Sequence, residues 1–557
     1  MLERTAGAAT GGTIVDRPPR EPAGDEHDGT APAGTAFLGR SLDAAAVARV
    51  ADGAAPPLPG QPALDAMERN RRAAHRLAAE GARVYGRSTG VGAHRGLAVE
   101  EHDGAGHDLR LLLSHAGGAG EALPTRQVRA MMVVRVSQLL AGGSGLGPEI
   151  AVAVTDALRA GVHPLVPEYG SVGTGDLTAL AQLGLALFGH GTWLRDGTDT
   201  GDPLPAARLP EGSLPEGTAP EGAFPRRLAM RRGDALALLS SSALTLGQSA
   251  LAWHDLGVPL RAAHLVAALS LHAVGGSLEP YAPEVHRAHP HPAIGRAAAR
   301  VLALLGAADG NTTALPPPAS GVAARVQDPF GFRCFPQAHG PAVQAWSALE
   351  EVLSIDLNSA TENPLIGWDA TTDTPVARHH GGFFTTPLTL ALDQLGLAVL
   401  GTARLSAARL SALGQPELTG LRSYLADTSS AGSGMMILEY SAASALAEVQ
   451  ACAAPAALGH VVLSQGMEEA ATFATQAARK SLRLAPAYRL VLACELVTAV
   501  RALRMRGTPP APDTPAGRAY LRAATTLDPD PRDRPLTDDV TRAAALLDEF
   551  AALVGDD

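Results

Sequence analysis

The chain has 557 residues, 46% of them hydrophobic but only 4% aromatic, and a formal net charge of −11. That length exceeds one compact domain, so two or three sub-regions around a shared core are expected. The negative charge repels phosphate backbones and no basic run offsets it, which sets nucleic acid aside as a partner. Cys334, Cys452 and Cys494 are far apart and form no CxxC pair. They indicate neither a disulfide framework nor a cysteine-rich zinc site, and they fit a reducing, cytoplasmic setting.

Residues 1–35 are rich in Gly, Ala, Pro, Asp and Thr without apolar periodicity, and read as a disordered leader. The opening MLERTAGAATGG lacks the apolar core of a secretory signal. No stretch of about 18 apolar residues free of charge suits a bilayer, so no membrane partner is expected. Residues 36–230 form an N-terminal region in which RQVRAMMVVRVSQLLA, at 126–141, has helical apolar spacing. An irregular stretch at 195–228 repeats Pro-Glu-Gly three times and reads as an exposed insertion. Residues 231–510 form a central region of long apolar runs at 234–272, 341–357, 387–411, 435–458 and 484–504, and 511–557 a helical tail. These runs exceed strand length and are filled with alanine and leucine, so the fold class is mostly α, a bundle of long helices.

Two loops punctuate this pattern. Tyr85-Gly86-Arg87-Ser88-Thr89-Gly90-Val91-Gly92 follows a helical segment; taken alone it is as well explained by a structural turn. No GK[ST] follows it, so no nucleotide is expected. Gly170-Ser171-Val172-Gly173-Thr174-Gly175-Asp176-Leu177 precedes the helical run TALAQLGLALFGHG. His286, His289 and His291 tempt toward a metal, but Pro290 and Pro292 break their register and no carboxylate or cysteine set accompanies them, so no metal is expected.

Further segments follow in order: LLLSHAGGAGE at 111–121, VHRAHPHP at 285–292, QDPFGFRCFPQAHG at 327–340 and NSATENPL at 358–365. With the two loops, they resemble the histidine, phenylalanine and tyrosine ammonia-lyases and aminomutases over roughly residues 35–505. The hallmark there is a YGxxTGxG loop ahead of a GSxxASGDL segment that cyclises to 4-methylideneimidazol-5-one. The resemblance implies a fumarase/aspartase-like helical bundle with a smaller N-terminal loop-and-helix region. It also implies a homotetramer whose sites draw on more than one subunit. The activity implied is that of a carbon–nitrogen lyase or 2,3-aminomutase, with an aromatic or related α-amino acid, or a related carboxylate, as the small-molecule partner.

Such elimination needs a base, an electrophile and a carboxylate clamp. The resemblance makes Tyr85 the base, Gly173-Thr174-Gly175 the electrophile and Arg333 the planar clamp. It brings His115 to the substrate ring, Gln327 near the prosthetic group, and Glu448 near the amino or ring end of the substrate. Read without it, the same residues are a packing tyrosine, a satisfied histidine and helix-surface groups.

The sequence departs from that pattern around one centre. GSVGTGDL is one residue short of GSVGASGDL, and Thr174 stands for the serine, so any prosthetic group would be an ethylidene variant with a hindered carbon. Ser240, in ALALLSSSALTLGQ, stands for an asparagine, and Phe330 for a tyrosine. HHGGFFTTP at 379–387 stands for GGNFHxxP. These changes leave two alternatives open. One is a relative without the prosthetic group that catalyses another elimination, addition or cyclisation in specialised metabolism. The other is a noncatalytic binding or assembly partner.

Overall fold

The computed structural model describes residues 39–100, 105–197, 204–205, 227–307, 315, 325–427 and 431–555. The leader read at 1–35 and most of the insertion read at 195–228 lie outside the described residues. Residues 36–557 form one unit.

The N-terminal region supplies helices α1 (Ala44–Ala51), α2 (Gln61–Ala79), α3 (Ala105–His115), α4 (Thr125–Ala141), α5 (Pro148–Arg159) and α6 (Leu177–Leu187). The bundle follows with α7 (Asp234–Leu239), α8 (Ala243–Ala273), α9 (Pro283–Ala288), α10 (Pro292–Leu304), α11 (Phe330–Arg333), α12 (Phe335–Asp356) and α13 (Thr386–Leu413). It closes with α14 (Pro416–Thr419), α15 (Met436–Cys452), α16 (Ala474–Arg506), α17 (Pro515–Thr526) and α18 (Thr537–Val554). Among the described residues three small antiparallel sheets are marginal to this plan: β1 (Ala119–Ala122) with β3 (Pro167–Tyr169), β2 (Val162–Pro164) with β4 (Thr192–Arg195), and β6 (Leu365–Trp368) with β7 (Pro375–Arg378). Strand β5 (Leu204–Pro205) pairs with β4, Thr192 opposite Pro205, so a piece of the expected insertion is tied into a sheet.

Helix α8 is buried around most of its circumference, as a central position requires, and it packs along α16, α4, α12 and α18. The segment 234–273 and helix α13 are long and apolar enough by composition to cross a membrane, which corrects the expectation that no stretch is; their most apolar windows are 94% and 61% buried inside the bundle. The C-terminal helix α18 buries Leu547 and Phe550 against the core.

The run expected as one helix over 234–272 is two, broken at Ser240–Ser242. The apolar pattern resumes on both sides of the three serines, and at the break the Ser241 carbonyl turns aside to accept the Asp176 N–H at 2.8 Å. The run expected at 435–458 ends at Cys452, three residues before Pro455, whose ring cannot continue a helix.

A buried ion pair crosses the bundle. Arg409 on α13 donates to both oxygens of Glu495 on α16, at 2.6 and 2.8 Å, and to the Gly331 carbonyl at 3.0 Å. Ser270 of α8 and Ser406 of α13 complete the carboxylate at 2.6 and 2.5 Å. Removing one partner strands the other charge, so Arg409→Met is expected to cost about 3–5 kcal/mol in urea unfolding. The double variant Arg409→Met/Glu495→Leu is expected to regain part of that loss.

Candidate active site

A cavity of about 890 Å³ opens where the N-terminal region meets the bundle, and Tyr85, His115, Thr174, Gly175 and Ser240 all line it. Five residues from four separate segments thus converge. The loop of Tyr85 is closed by its own side chain, since the Gly92 N–H donates to the phenol oxygen at 2.8 Å. The Tyr85 N–H reaches His379 Nε2 at 3.3 Å, which fixes the loop against the 379–387 segment. His115 ends α3, and its Nδ1 lies 2.9 Å from the Leu111 carbonyl. That carbonyl can only accept, so Nδ1 carries a proton, and in the neutral ring Nε2 is left as an acceptor facing the cavity.

The Gly173-Thr174-Gly175 turn is fastened from the approach to α16 and from the start of α13. The Phe473 N–H donates to the Val172 carbonyl at 2.8 Å. The hydroxyls of Thr385 and Thr472 both donate to the Gly173 carbonyl, at 2.9 and 2.7 Å. Gly173 and Gly175 have φ of +87° and +122°, conformations that side chains resist, so the turn depends on glycine at both places. Gly173 itself is buried, and Thr174 is the residue of the three that presents a side chain to the cavity.

Asp176 anchors the turn. Its carboxylate, fully buried, accepts the Thr245 N–H at 2.8 Å and the Thr245 hydroxyl at 2.9 Å in the first turn of α8. Burial holds this carboxyl above the usual range, and the Thr245 bonds oppose that rise. The Thr245 hydroxyl continues to Thr475 at 2.7 Å, and Thr475 to Ser171 at 2.8 Å. Ser240, at the helix break, accepts the Asn363 N–H at 2.8 Å. Asn363 follows Glu362, which is buried and paired with Arg135 at 2.8 Å.

Gln327, Phe330, Arg333 and Glu448 do not line this cavity. Phe330 is 63% exposed and carries the Arg333 guanidinium over its ring at 4.4 Å, both at the start of α11–α12. Arg333 Nε is buried with no partner among the described residues. Glu448 faces away along α15, where Arg483 bonds it at 2.5 Å and holds its carboxyl below the usual range. The carboxylates that do reach the cavity are Glu468 and Glu469, in the turn before α16. Ser464 of that turn accepts the Ala93 N–H at 3.1 Å, docking it on the Tyr85 loop. Asn363, His379 and Phe384 line it too, and lie in segments singled out in the sequence without an assigned role.

Among the described residues no group of three or more His, Cys, Asp or Glu could hold a metal. His286 bonds the Pro280 carbonyl at 3.0 Å, and His289 and His291 meet edge to face with centroids 4.5 Å apart.

The family model for aromatic amino acid lyases matches residues 42–526. The chain is 33% identical over 508 residues to histidine ammonia-lyase of Streptomyces avermitilis, covering 91% of this chain and 94% of that one. It is 31% identical over 474 residues to the Geobacillus kaustophilus histidine ammonia-lyase, covering 85% and 88%. The crystal structure of tyrosine aminomutase from Streptomyces globisporus superposes with a TM-score of 0.80 at 25% identity, covering 94% of this chain and 98% of that one.

Asp176→Ala leaves the Thr245 donors of α8 without their acceptor and is expected to cost about 1–3 kcal/mol in urea unfolding. Glu448→Ala, at an exposed ion pair, is expected to cost about 0–1 kcal/mol in the same assay.

Proposed function

The chain belongs to the aromatic amino acid lyase family, and from that premise we propose that its cavity takes an α-amino acid with a hydrogen-bonding ring, imidazole first. On this reading the amino group is eliminated as ammonia or moved to the neighbouring carbon. The observation that carries the reading is the meeting of Tyr85, His115 and Thr174 in one cavity. His115 Nε2, left as an acceptor, selects a ring that offers an N–H or O–H over a plain phenyl ring. Tyr85 takes the β-proton, and the Gly92 N–H on its oxygen stabilises the negative charge that proton removal needs.

The residues fit the prosthetic group. Two hydroxyls on the Gly173 carbonyl draw charge from its carbon, as an oxyanion hole does, and so favour attack by the Gly175 nitrogen. Closure forms that carbon–nitrogen bond and expels the carbonyl oxygen as water; loss of the Thr174 hydroxyl with its α-hydrogen expels a second. An ethylidene imidazolone held by Gly173, Thr174 and Gly175 would supply an electrophilic carbon that makes the amine a better leaving group. The single-residue shortening and the extra methyl of Thr174 favour one competing reading, the same cavity without a ring.

A second copy of the chain would supply what one chain lacks. Phe330 and Arg333 stand together at an exposed corner outside the cavity of their own chain, which suits a carboxylate clamp donated across an interface in a homotetramer.

Wild-type protein is expected to release ammonia or form a β-amino acid from L-histidine or L-tyrosine, followed by mass spectrometry and an ammonia assay. Tyr85→Phe is expected to lower kcat by about 10²–10⁴-fold. His115→Phe is expected to raise kcat/KM for phenylalanine relative to histidine. No turnover of any aromatic α-amino acid would sink the reading.

A further inference from the structure

Behind the Tyr85 loop lies a second cavity, of about 360 Å³, bounded by α2, by the loop itself and by residues 231–234 ahead of α7. Its charged lining is Arg71, Arg87, Arg231, Arg232 and Asp234, joined by His75 and Ser88. None of the residues assigned to catalysis enters it. Two of its guanidiniums are neutralised: Arg71 by Glu68 at 2.6 and 2.7 Å, and Arg231 by Glu149 at 2.7 Å. The other two hold only carbonyls among the described residues, Arg87 that of Ser144 at 2.8 Å and Arg232 that of Val99 at 3.3 Å.

Arg87 is built into this place. A Cβ on Gly233 would stand 2.5 Å from its Nη1, and one on Gly145 2.9 Å from its Nη2, so two glycines hold open the slot that the guanidinium fills. His75, in the same lining, has its imidazole pushed below its usual range by burial and then by Arg71, Arg231 and Arg87, with Glu68 opposing. Among the described residues Asp234 is the one carboxylate in the lining, and its Oδ2 takes the Arg231 N–H at 2.8 Å. The rest of the wall includes Ala74, Ala78, Ala82 and Val84.

We propose that this cavity is a second, non-catalytic binding site for a zwitterionic α-amino acid with a small apolar side chain. The ligand carboxylate lies at Arg87 and Arg232, its ammonium at Asp234, and its side chain against the alanines and Val84. A bare inorganic anion satisfies the arginines but is repelled by Asp234 and leaves the apolar wall uncovered. An amine satisfies Asp234 alone and leaves Arg87 and Arg232 without a carboxylate. The volume lies at the small end of ligand pockets, which run from about 300 to 1,000 Å³. Because Arg87 is two residues from Tyr85, a ligand clamped here also restrains the loop that carries the base. The site stands independently of which ring the catalytic cavity accepts.

Isothermal titration of the full-length protein tests it, with L-leucine, 4-methylpentanoate and inorganic phosphate as probes. L-Leucine is expected to saturate one site per chain, and 4-methylpentanoate, lacking the ammonium, to bind at least about tenfold more weakly. Asp234→Asn is expected to erase that difference. Arg87→Met is expected to weaken L-leucine by more than about tenfold. Ala78→Phe, on the exposed side of α2, is expected to do the same by filling the cavity without touching the Tyr85 loop. His115→Ala, in the catalytic cavity, is expected to leave L-leucine binding in place. No saturable L-leucine binding, or binding that survives both Ala78→Phe and Arg87→Met, overturns the proposal. Phosphate binding as tightly as L-leucine overturns it in favour of a general anion site.

Discussion

A carboxylate removed from water must find its donors inside the protein, and Asp176 finds them at the first turn of α8. That requirement holds the rest of the site in place. The Asp176 N–H occupies the Ser241 carbonyl, the side chain occupies both donors of Thr245, and the chain of hydroxyls through Thr475 and Ser171 reaches α16. The turn Gly173-Thr174-Gly175 is therefore pinned between the two most central helices of the bundle. The break that presents Ser240 to the cavity falls where Asp176 meets the chain.

Behind this anchor the core is stiffened by charges paired out of reach of solvent. Glu495 gathers Arg409, Ser270 and Ser406 and so joins α8, α13 and α16. Arg135 holds Glu362, one residue before Asn363, whose N–H fixes Ser240. Such pairs contribute little net stability over apolar packing, but each wrong arrangement of helices would strand a charge. They favour one register of the bundle, and a loop carrying a reactive turn gains from a frame that does not shift.

The long helices were legible because their apolar runs outlast any strand and their composition is rich in helix formers. The break at Ser240–Ser242 was not, since leucines and alanines continue on both sides and its cause, Asp176, lies far off in sequence. Tyr85, His115, Thr174 and Ser240 could be singled out because the short motifs that hold them resemble those of the family, and the fold brings them to one cavity. Glu448 illustrates the limit. A glutamate on an amphipathic helix reads alike whether it faces a pocket or an arginine 35 residues on, and here Arg483 takes it. Glu468 and Glu469 sit in an irregular stretch between two helical runs, where no periodicity draws attention to them. Arg87 read only as a residue between glycines, because the slot it fills is made by Gly145 and Gly233.

On the proposed reading, two threonine hydroxyls and two glycines in left-handed conformations prepare the 173–175 turn to close on itself. Intact-mass measurement of the purified wild-type protein, with peptide mapping across residues 165–180, tests this most directly. A protein lighter than its sequence by two waters, with the whole deficit in that peptide, is the result closure requires. A peptide of full mass contradicts it, and leaves Tyr85 and His115 serving a reaction that needs no electrophile.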